Sequence, residues 1–245
     1  MRDTEDFLDT VRRTYTRESQ QDQAMRRLIV RTFEPYIDPN WRALQMGFSE
    51  GVDTELLARR VRRLEVIEGC SAFIEEGIKR GLPNVSYRHA MFEDLAPAPD
   101  APPFDCVFAI YVLEHILDVP HVLSRVRAVL RPGGRLFVVV PNARALSRQL
   151  ALHMGLLPDL KTLTEHDHRH GHRRVYDRVM LNRDLEAAGF KIISQGGVML
   201  KILADFQLDR LFREGILEDA HVDGLYSLGL EYPDLCGSLF TVCGG

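Results

Sequence analysis

The chain has 245 residues, and its 31 Lys and Arg against 35 Asp and Glu leave a formal net charge of −4. That mildly acidic balance excludes strong nonspecific binding to nucleic acid, which needs a dense basic face, and no apolar run approaches the roughly 18 residues that cross a bilayer. The charged start, MRDTEDFLDT, shows no signal peptide, and Cys70, Cys106, Cys236 and Cys243 have neither paired spacing nor disulfide density, so a cytoplasmic protein is expected.

Residues 1–35 read as polar helices. Phe7, Leu8, Val11 and Tyr15 recur at helical spacing, and Met25, Leu28, Ile29 and Phe33 do the same after the polar break RESQQDQ. Pro35 and Pro39 then punctuate the chain. This segment is expected to be a helical arm or a lid. From Trp41, short apolar runs alternate with amphipathic stretches. RALQMG, RLEVIEG, NVSYRH, FDCVFAI and RLFVVVP read as strands, while VDTELLARRVRR, SAFIEEGIKRG, VPHVLSRVRAVLRPGG and NARALSRQLALHMG read as helices. Such alternation implies parallel pairing through helical crossovers. A run such as LFVVV must be covered on both faces. The expected fold is therefore a doubly wound α/β sheet.

After residue 155, LLPDLKTLTEHDHRHGHRRVYD reads as a long polar insertion at a functional edge. VMLNRDLEAAGF reads as a helix ended by Gly189, KIISQGGVMLK as a strand, residues 202–235 as further helices, and CGSLFTVCGG as a final strand. With no repeat or linker in the chain, one domain is expected over 1–245. It would divide into a helical arm at 1–35, a ligand-binding core at 41–142, an insertion at 143–178, and the completion of the sheet at 179–245.

In a doubly wound sheet, ligands bind beyond the carboxyl ends of the strands beside the switch point. There the first strand runs through Gln45 into a turn with Gly47, Ser49 and Gly51, whose small residues allow close backbone approach at a helix start. The same G-x-S-x-G spacing occurs in the hydrolase nucleophile elbow, but its place on the first strand argues against that reading. Glu68, followed by Gly69, ends the second strand, where a carboxylate can accept from both ribose hydroxyls of a nucleoside. After the third strand, Met91 and Phe92 would flank an adenine, with Glu93 or Asp94 accepting from its amino group.

Four segments in this order, ALQMGFSEG, VIEGCS, FDCVFAIYVLEHILDV and VLRPGGRLFVVVPNA, resemble a class I S-adenosylmethionine-dependent methyltransferase of the small-molecule type. There is a particular likeness to bacterial members carrying HGHRRVY and YPDLCGS segments. The resemblance implies a Rossmann-like, seven-stranded, mostly parallel sheet. It also implies S-adenosylmethionine as cofactor, held by Gly47, Ser49 and Gly51 at its methionine end and by Glu68 at the ribose. Phe92 and Glu93 would then lie beside the adenine, and Ile110 and Tyr111 near the sulfonium. Two positions depart from the family pattern: the strand-one acid is Gln45, and the middle glycine is Ser49. A glutamine offers the cofactor's ammonium an amide oxygen rather than a carboxylate.

Methyl transfer needs an aligned nucleophile and, where required, a base. His115, His170 and Tyr176 are the catalytic candidates, and Asn142, His172 and Arg173 the substrate-side ones. Arg173 or its neighbour Arg174 suits a carboxylate or phosphate on the acceptor. His166, His168, His170 and His172 would share one face of an extended segment, a pattern that invites a metal. The adjacent arginines disfavour a cation, so no metal site is expected. The expected reaction is methylation of O or N on a small anionic or zwitterionic metabolite, releasing S-adenosylhomocysteine, with no nucleic-acid or membrane partner. Two alternatives stand beside it: an enzyme that cyclises or cleaves S-adenosylmethionine to methylthioadenosine, and a non-catalytic binding module.

Overall fold

Seven of the short apolar runs pair side by side. The computed structural model describes residues 19–245. Its strands are β1 (Arg42–Met46), β2 (Arg63–Glu68), β3 (Val85–His89), β4 (Phe104–Ile110), β5 (Leu130–Pro141), β6 (Lys191–Leu200) and β7 (Cys236–Gly244). They form one sheet in the order β3-β2-β1-β4-β5-β7-β6. β1 to β5 are mutually parallel, and β7 runs antiparallel to both of its neighbours. This is the doubly wound sheet that the alternation implied, and the Rossmann-like, seven-stranded, mostly parallel form that the resemblance implied. The order reverses between β1 and β4, so a crevice opens beyond their carboxyl ends.

Nine helices cover the sheet among the described residues: α1 (Gln20–Phe33), α2 (Val52–Ala58), α3 (Ser71–Lys79), α4 (Val119–Val129), α5 (Leu146–His153), α6 (Glu165–Arg169), α7 (Arg178–Ala187), α8 (Asp205–Arg213) and α9 (Asp219–Glu231). Because β4 and β5 are apolar on both faces, each face needs its own layer. On one side, Val122, Leu123 and Val126 of α4 and Leu181 and Leu185 of α7 pack against Val107, Leu136 and Val138. On the other, Met25, Leu28, Ile29 and Phe33 of α1 pack against Phe108, Phe137 and Phe240. The Phe33 ring meets Phe137 edge-on at 4.9 Å, an arrangement that adds to the gain from burial. Residues 20–33 are thus a packed part of the fold. The apolar positions Phe7, Leu8, Val11 and Tyr15 lie outside the described residues. Among those described, no helix is long and apolar enough to cross a membrane.

Boundaries differ from expectation in three places. α2 stops at Ala58, because Val61 turns into the core and Arg62 donates its backbone N–H to the Trp41 carbonyl. The helix ending in RPGG stops at Val129. β5 begins at once, with Leu130 paired to Phe104 ahead of a register shift that Gly133 enters at φ +70°. The histidine-rich insertion is not extended over its first half. Residues Glu165–Arg169 form α6, started by a capping box between Thr164 and Asp167.

Candidate active site

The turn between β1 and α2 is built on left-handed backbone. Gly47, Ser49 and Gly51 have φ of +80°, +51° and +77°. Ser49 therefore adopts the conformation a glycine would hold, at a cost of about 1–2 kcal/mol. A Cβ on Gly51 would stand 2.5 Å from the Phe48 ring, so both its φ and its surroundings demand glycine. Gln45 is buried behind the turn. Its Nε2 donates to the Gly47 carbonyl at 2.9 Å, while among the described residues its Oε1 has no partner. Glu68 is also buried. One of its oxygens accepts from the Phe48 N–H and the other from the Cys70 N–H, both at 2.8 Å. Burial lifts this carboxyl above the ordinary range, against the pull of those amides. The carboxylate keeps acceptor capacity for a ligand hydroxyl. Gly69 ties the edge down, its carbonyl bonded to His89 Nε2 at 2.9 Å. The half-buried Phe92 stands beside Gly47, its ring 3.8 Å from where a Cβ would be, and Met91 and Glu93 flank it in the same short turn.

Beyond the carboxyl ends of β4 and β5 and the amino end of β7 lies a cavity of about 750 Å³. Tyr111 forms part of its wall at φ +55°, a conformation costly for a bulky residue and typical of functional edges. Its hydroxyl is 2.8 Å from Ser238 Oγ of β7. Glu114 and His115 follow on the same loop. Glu114 is fully buried, and among the described residues neither carboxylate oxygen has a hydrogen-bond partner on another residue. Burial pushes its carboxyl up to about 7 and the His115 imidazole down to about 3.

His172 stands against His115 edge-to-face, with ring centroids 4.8 Å apart. Its Nδ1 is 3.1 Å from Asp167 Oδ1. A carboxylate only accepts, so Nδ1 carries the proton and Nε2 is left as the acceptor. Asp167 in turn accepts from the Thr164 N–H at 2.8 Å, from its hydroxyl at 2.7 Å and from Arg148 Nη1 at 3.2 Å. Against its burial, these bonds hold Asp167 well below the usual carboxylate range. His170 also lines the cavity, its Nδ1 donating to the His166 carbonyl at 2.9 Å.

The other expected residues lie elsewhere or are engaged differently. Tyr176 is wholly buried in the core and donates to Asp184 at 3.2 Å, outside the cavity wall. Arg173 is exposed and outside that wall. Arg174 spends its guanidinium on the carbonyls of Leu113, Ile116 and Leu117. Asn142 reaches the wall, but its side chain is a staple: Nδ2 donates to the Asp234 and Cys236 carbonyls, and Oδ1 accepts from the Arg144 N–H. Ile110 is packed in the core.

Three residues were missed by sequence reasoning. Arg26 of α1 is buried, paired with Asp22 and Asp53, and reaches within 3.5 Å of Ser49 Oγ. A charge lying between Met25 and Ile29 on an apolar helix face was its available signal. Glu114 stood beside His115, and Asp167 stood inside the histidine run. Neither carries a local pattern of its own.

A family model described as a methyltransferase domain matches residues 17–195. The chain belongs to the class I S-adenosylmethionine-dependent methyltransferases. It is 32% identical over 115 residues to a ubiquinone biosynthesis O-methyltransferase of Xylella fastidiosa, covering 45% of this chain and 46% of the relative. To the protein of the same name in Brucella anthropi it is 29% identical over 172 residues, covering 67% and 65%. This methyltransferase thus spans about half the length of the first of these curated relatives. Among solved structures, an S-adenosylmethionine-dependent methyltransferase from Mesorhizobium loti superposes with a TM-score of 0.61 at 14% identity, over 88% of this chain and 95% of that one. That likeness concerns the fold.

The residues fit the cofactor. The orphaned Oε1 of Gln45 is a buried acceptor suited to an ammonium, and the Glu68 carboxylate retains acceptor capacity for a ribose. Bound there, S-adenosylmethionine supplies an activated methyl group on a sulfonium.

Proposed function

We propose that this methyltransferase methylates a hydroxyl oxygen on a small amphipathic acceptor held in the cavity beside Tyr111. The observation that carries the reading is the cavity itself. It adjoins the cofactor side at Tyr111 and presents Glu114, His115 and His172 to whatever enters. Met25, Pro141, Ala145, Ala151, Leu157 and Phe206 give the wall its apolar part. Three of its cations are paired within the wall, Arg26 with Asp22, Arg148 with Asp167, and Lys201 with Asp205, while Arg169 lies 3.9 Å from Glu165 outside it. The expectation of an anionic acceptor rested on Arg173 and Arg174, whose positions no longer support it. The pairing of most wall cations favours a polar head without net negative charge on an apolar body. The O-methyltransferase names of the two relatives support oxygen over nitrogen. His115 and His172 face the acceptor and position its hydroxyl. α1 contributes Gln21, Asp22, Met25 and Arg26 to the same wall and so excludes water from the reacting groups.

The test is incubation of the full chain with S-adenosylmethionine deuterated at the methyl group, alone and with panels of hydroxylated and aminated small molecules, followed by mass spectrometry. Label on an oxygen of an added acceptor supports the reading. Methylthioadenosine released from the cofactor alone, or label appearing only on nitrogen, overturns it.

A further inference from the structure

Glu114, His115 and His172 offer ligand atoms that all lie within 4.8 Å of one another. Among the described residues this is the one such group of three, and it borders the cavity. We propose that these residues bind a divalent transition-metal ion.

The first argument is the buried carboxylate. Glu114 is removed from solvent, and both oxygens are without partners on any other described residue. An ionised carboxylate left so is costly unless a cation meets it or a proton neutralises it, and the two imidazoles beside it offer the ligand set for a cation. The second is orientation. The bond from His172 Nδ1 to Asp167 leaves Nε2 as the nitrogen available to a ligand, and Asp167 is itself fixed by Thr164 and Arg148. A carboxylate behind a ligating histidine is the usual way in which proteins set the tautomer and raise the basicity of the ligand. The third is preorganisation. The Arg173 N–H donates to the Glu114 carbonyl at 2.7 Å, and Arg174 clamps the carbonyls on either side of the Glu114–His115 pair. The two segments are therefore held in register without any ion.

Two imidazoles and one carboxylate form a donor set suited to Zn²⁺, Co²⁺ or Fe²⁺, with further coordination positions left to the cavity. The sequence argued against a cation because two arginines follow the histidines. In the fold, Arg174 is spent on backbone carbonyls and Arg173 is solvent-exposed, where water screens its charge, so the objection is weakened. Of the four alternating histidines, only His172 belongs to the group. An ion here would stand where the acceptor oxygen is delivered and favour its deprotonated form. That role rests on the hydroxyl reading above, whereas the binding does not.

The experiment uses the full chain stripped with a chelator and titrated with Co²⁺ alone. Uptake is followed by visible d–d absorption and Zn²⁺ competition by calorimetry, with no acceptor or cofactor present. One ion per chain and a d–d spectrum displaced by Zn²⁺ are expected. Glu114→Gln and His172→Ala should abolish the spectrum, and Asp167→Asn should weaken binding by about 10–100-fold at the same stoichiometry. His121→Ala, outside the group, should bind as the parent does. Circular dichroism and S-adenosylhomocysteine binding establish that each variant is folded. No spectrum in the parent, or an unchanged one in folded His172→Ala, overturns the site. Failure of methyl transfer with metal binding intact would count against the acceptor reading alone.

Discussion

The carboxyl edge of the sheet has two halves, and they are built in opposite ways. On the β1–β3 side, each ligand-facing element is a single short turn: Gly47 to Gly51, Glu68 with Gly69, and Met91 to Glu93. On the β4–β5–β7 side, the wall is assembled from residues that meet only after folding. Glu114 and His115 come from one loop, His172 and Asp167 from the insertion, Ser238 from β7, and Arg26 from α1. Local construction makes the first half readable and fixed in chemistry. Distributed construction leaves the second half free to vary in what it accepts.

Substitutions can break or sharpen that contrast. The largest effect is expected at His172, where replacement by alanine should lower kcat by about 10²–10⁴. S-adenosylhomocysteine affinity, measured by calorimetry, should stay within about twofold. A parallel loss of affinity would mean that the two halves are one unit. Next, Glu68→Ala removes a charged acceptor from the cofactor side and should weaken cofactor binding by about 10–100-fold, from the roughly 1.5–3 kcal/mol of a charged hydrogen bond. Its two amide contacts, with Phe48 and Cys70, are lost as well, so thermal melting should fall with it. Gly51→Ala forces a Cβ into the Phe48 ring at a left-handed position. A strain of about 1–3 kcal/mol should raise the cofactor Kd by about 5–150-fold. Tyr111→Phe deletes the hydroxyl contact to Ser238 and should cost about 1 kcal/mol in chemical denaturation. Arg173→Ala is expected to be the mildest, within about ±0.5 kcal/mol in stability and near parental in activity. A large activity loss there would restore the anionic acceptor.

The same contrast explains what was legible in the chain. Strands such as FDCVFAI and RLFVVVP are apolar because both faces are covered, so periodicity and length exposed them. The glycine turn was legible because only particular residues tolerate its backbone. Tyr176 was misplaced because a tyrosine next to arginines looks polar in sequence, while its ring is wholly buried and its hydroxyl is satisfied by Asp184. Arg174 was misjudged for a related reason. Open carbonyls on the Leu113–Leu117 loop claim its guanidinium, and no local pattern announces them. The partnership of Glu114 with His172 depends on where the insertion folds back, which is a property of the tertiary structure.

The position of β7 has a consequence for the order in which the molecule can be made. It is the last of the seven strands in the chain, yet it lies between β5 and β6 and is the only strand paired with β6 among the described residues. Until Cys236–Gly244 leave the ribosome, β5 has an open edge and β6 has no strand to pair with among the described residues. The β1–β4 segment is already available by then. Gly237 and Ser238 belong to the acceptor wall, and Asn142 is stapled to Cys236. The acceptor chamber therefore cannot close before β7 pairs with β5. In native-state hydrogen exchange, the amides of β6 and β7 should open together as one cooperative unit, with β1 and β4 exchanging more slowly.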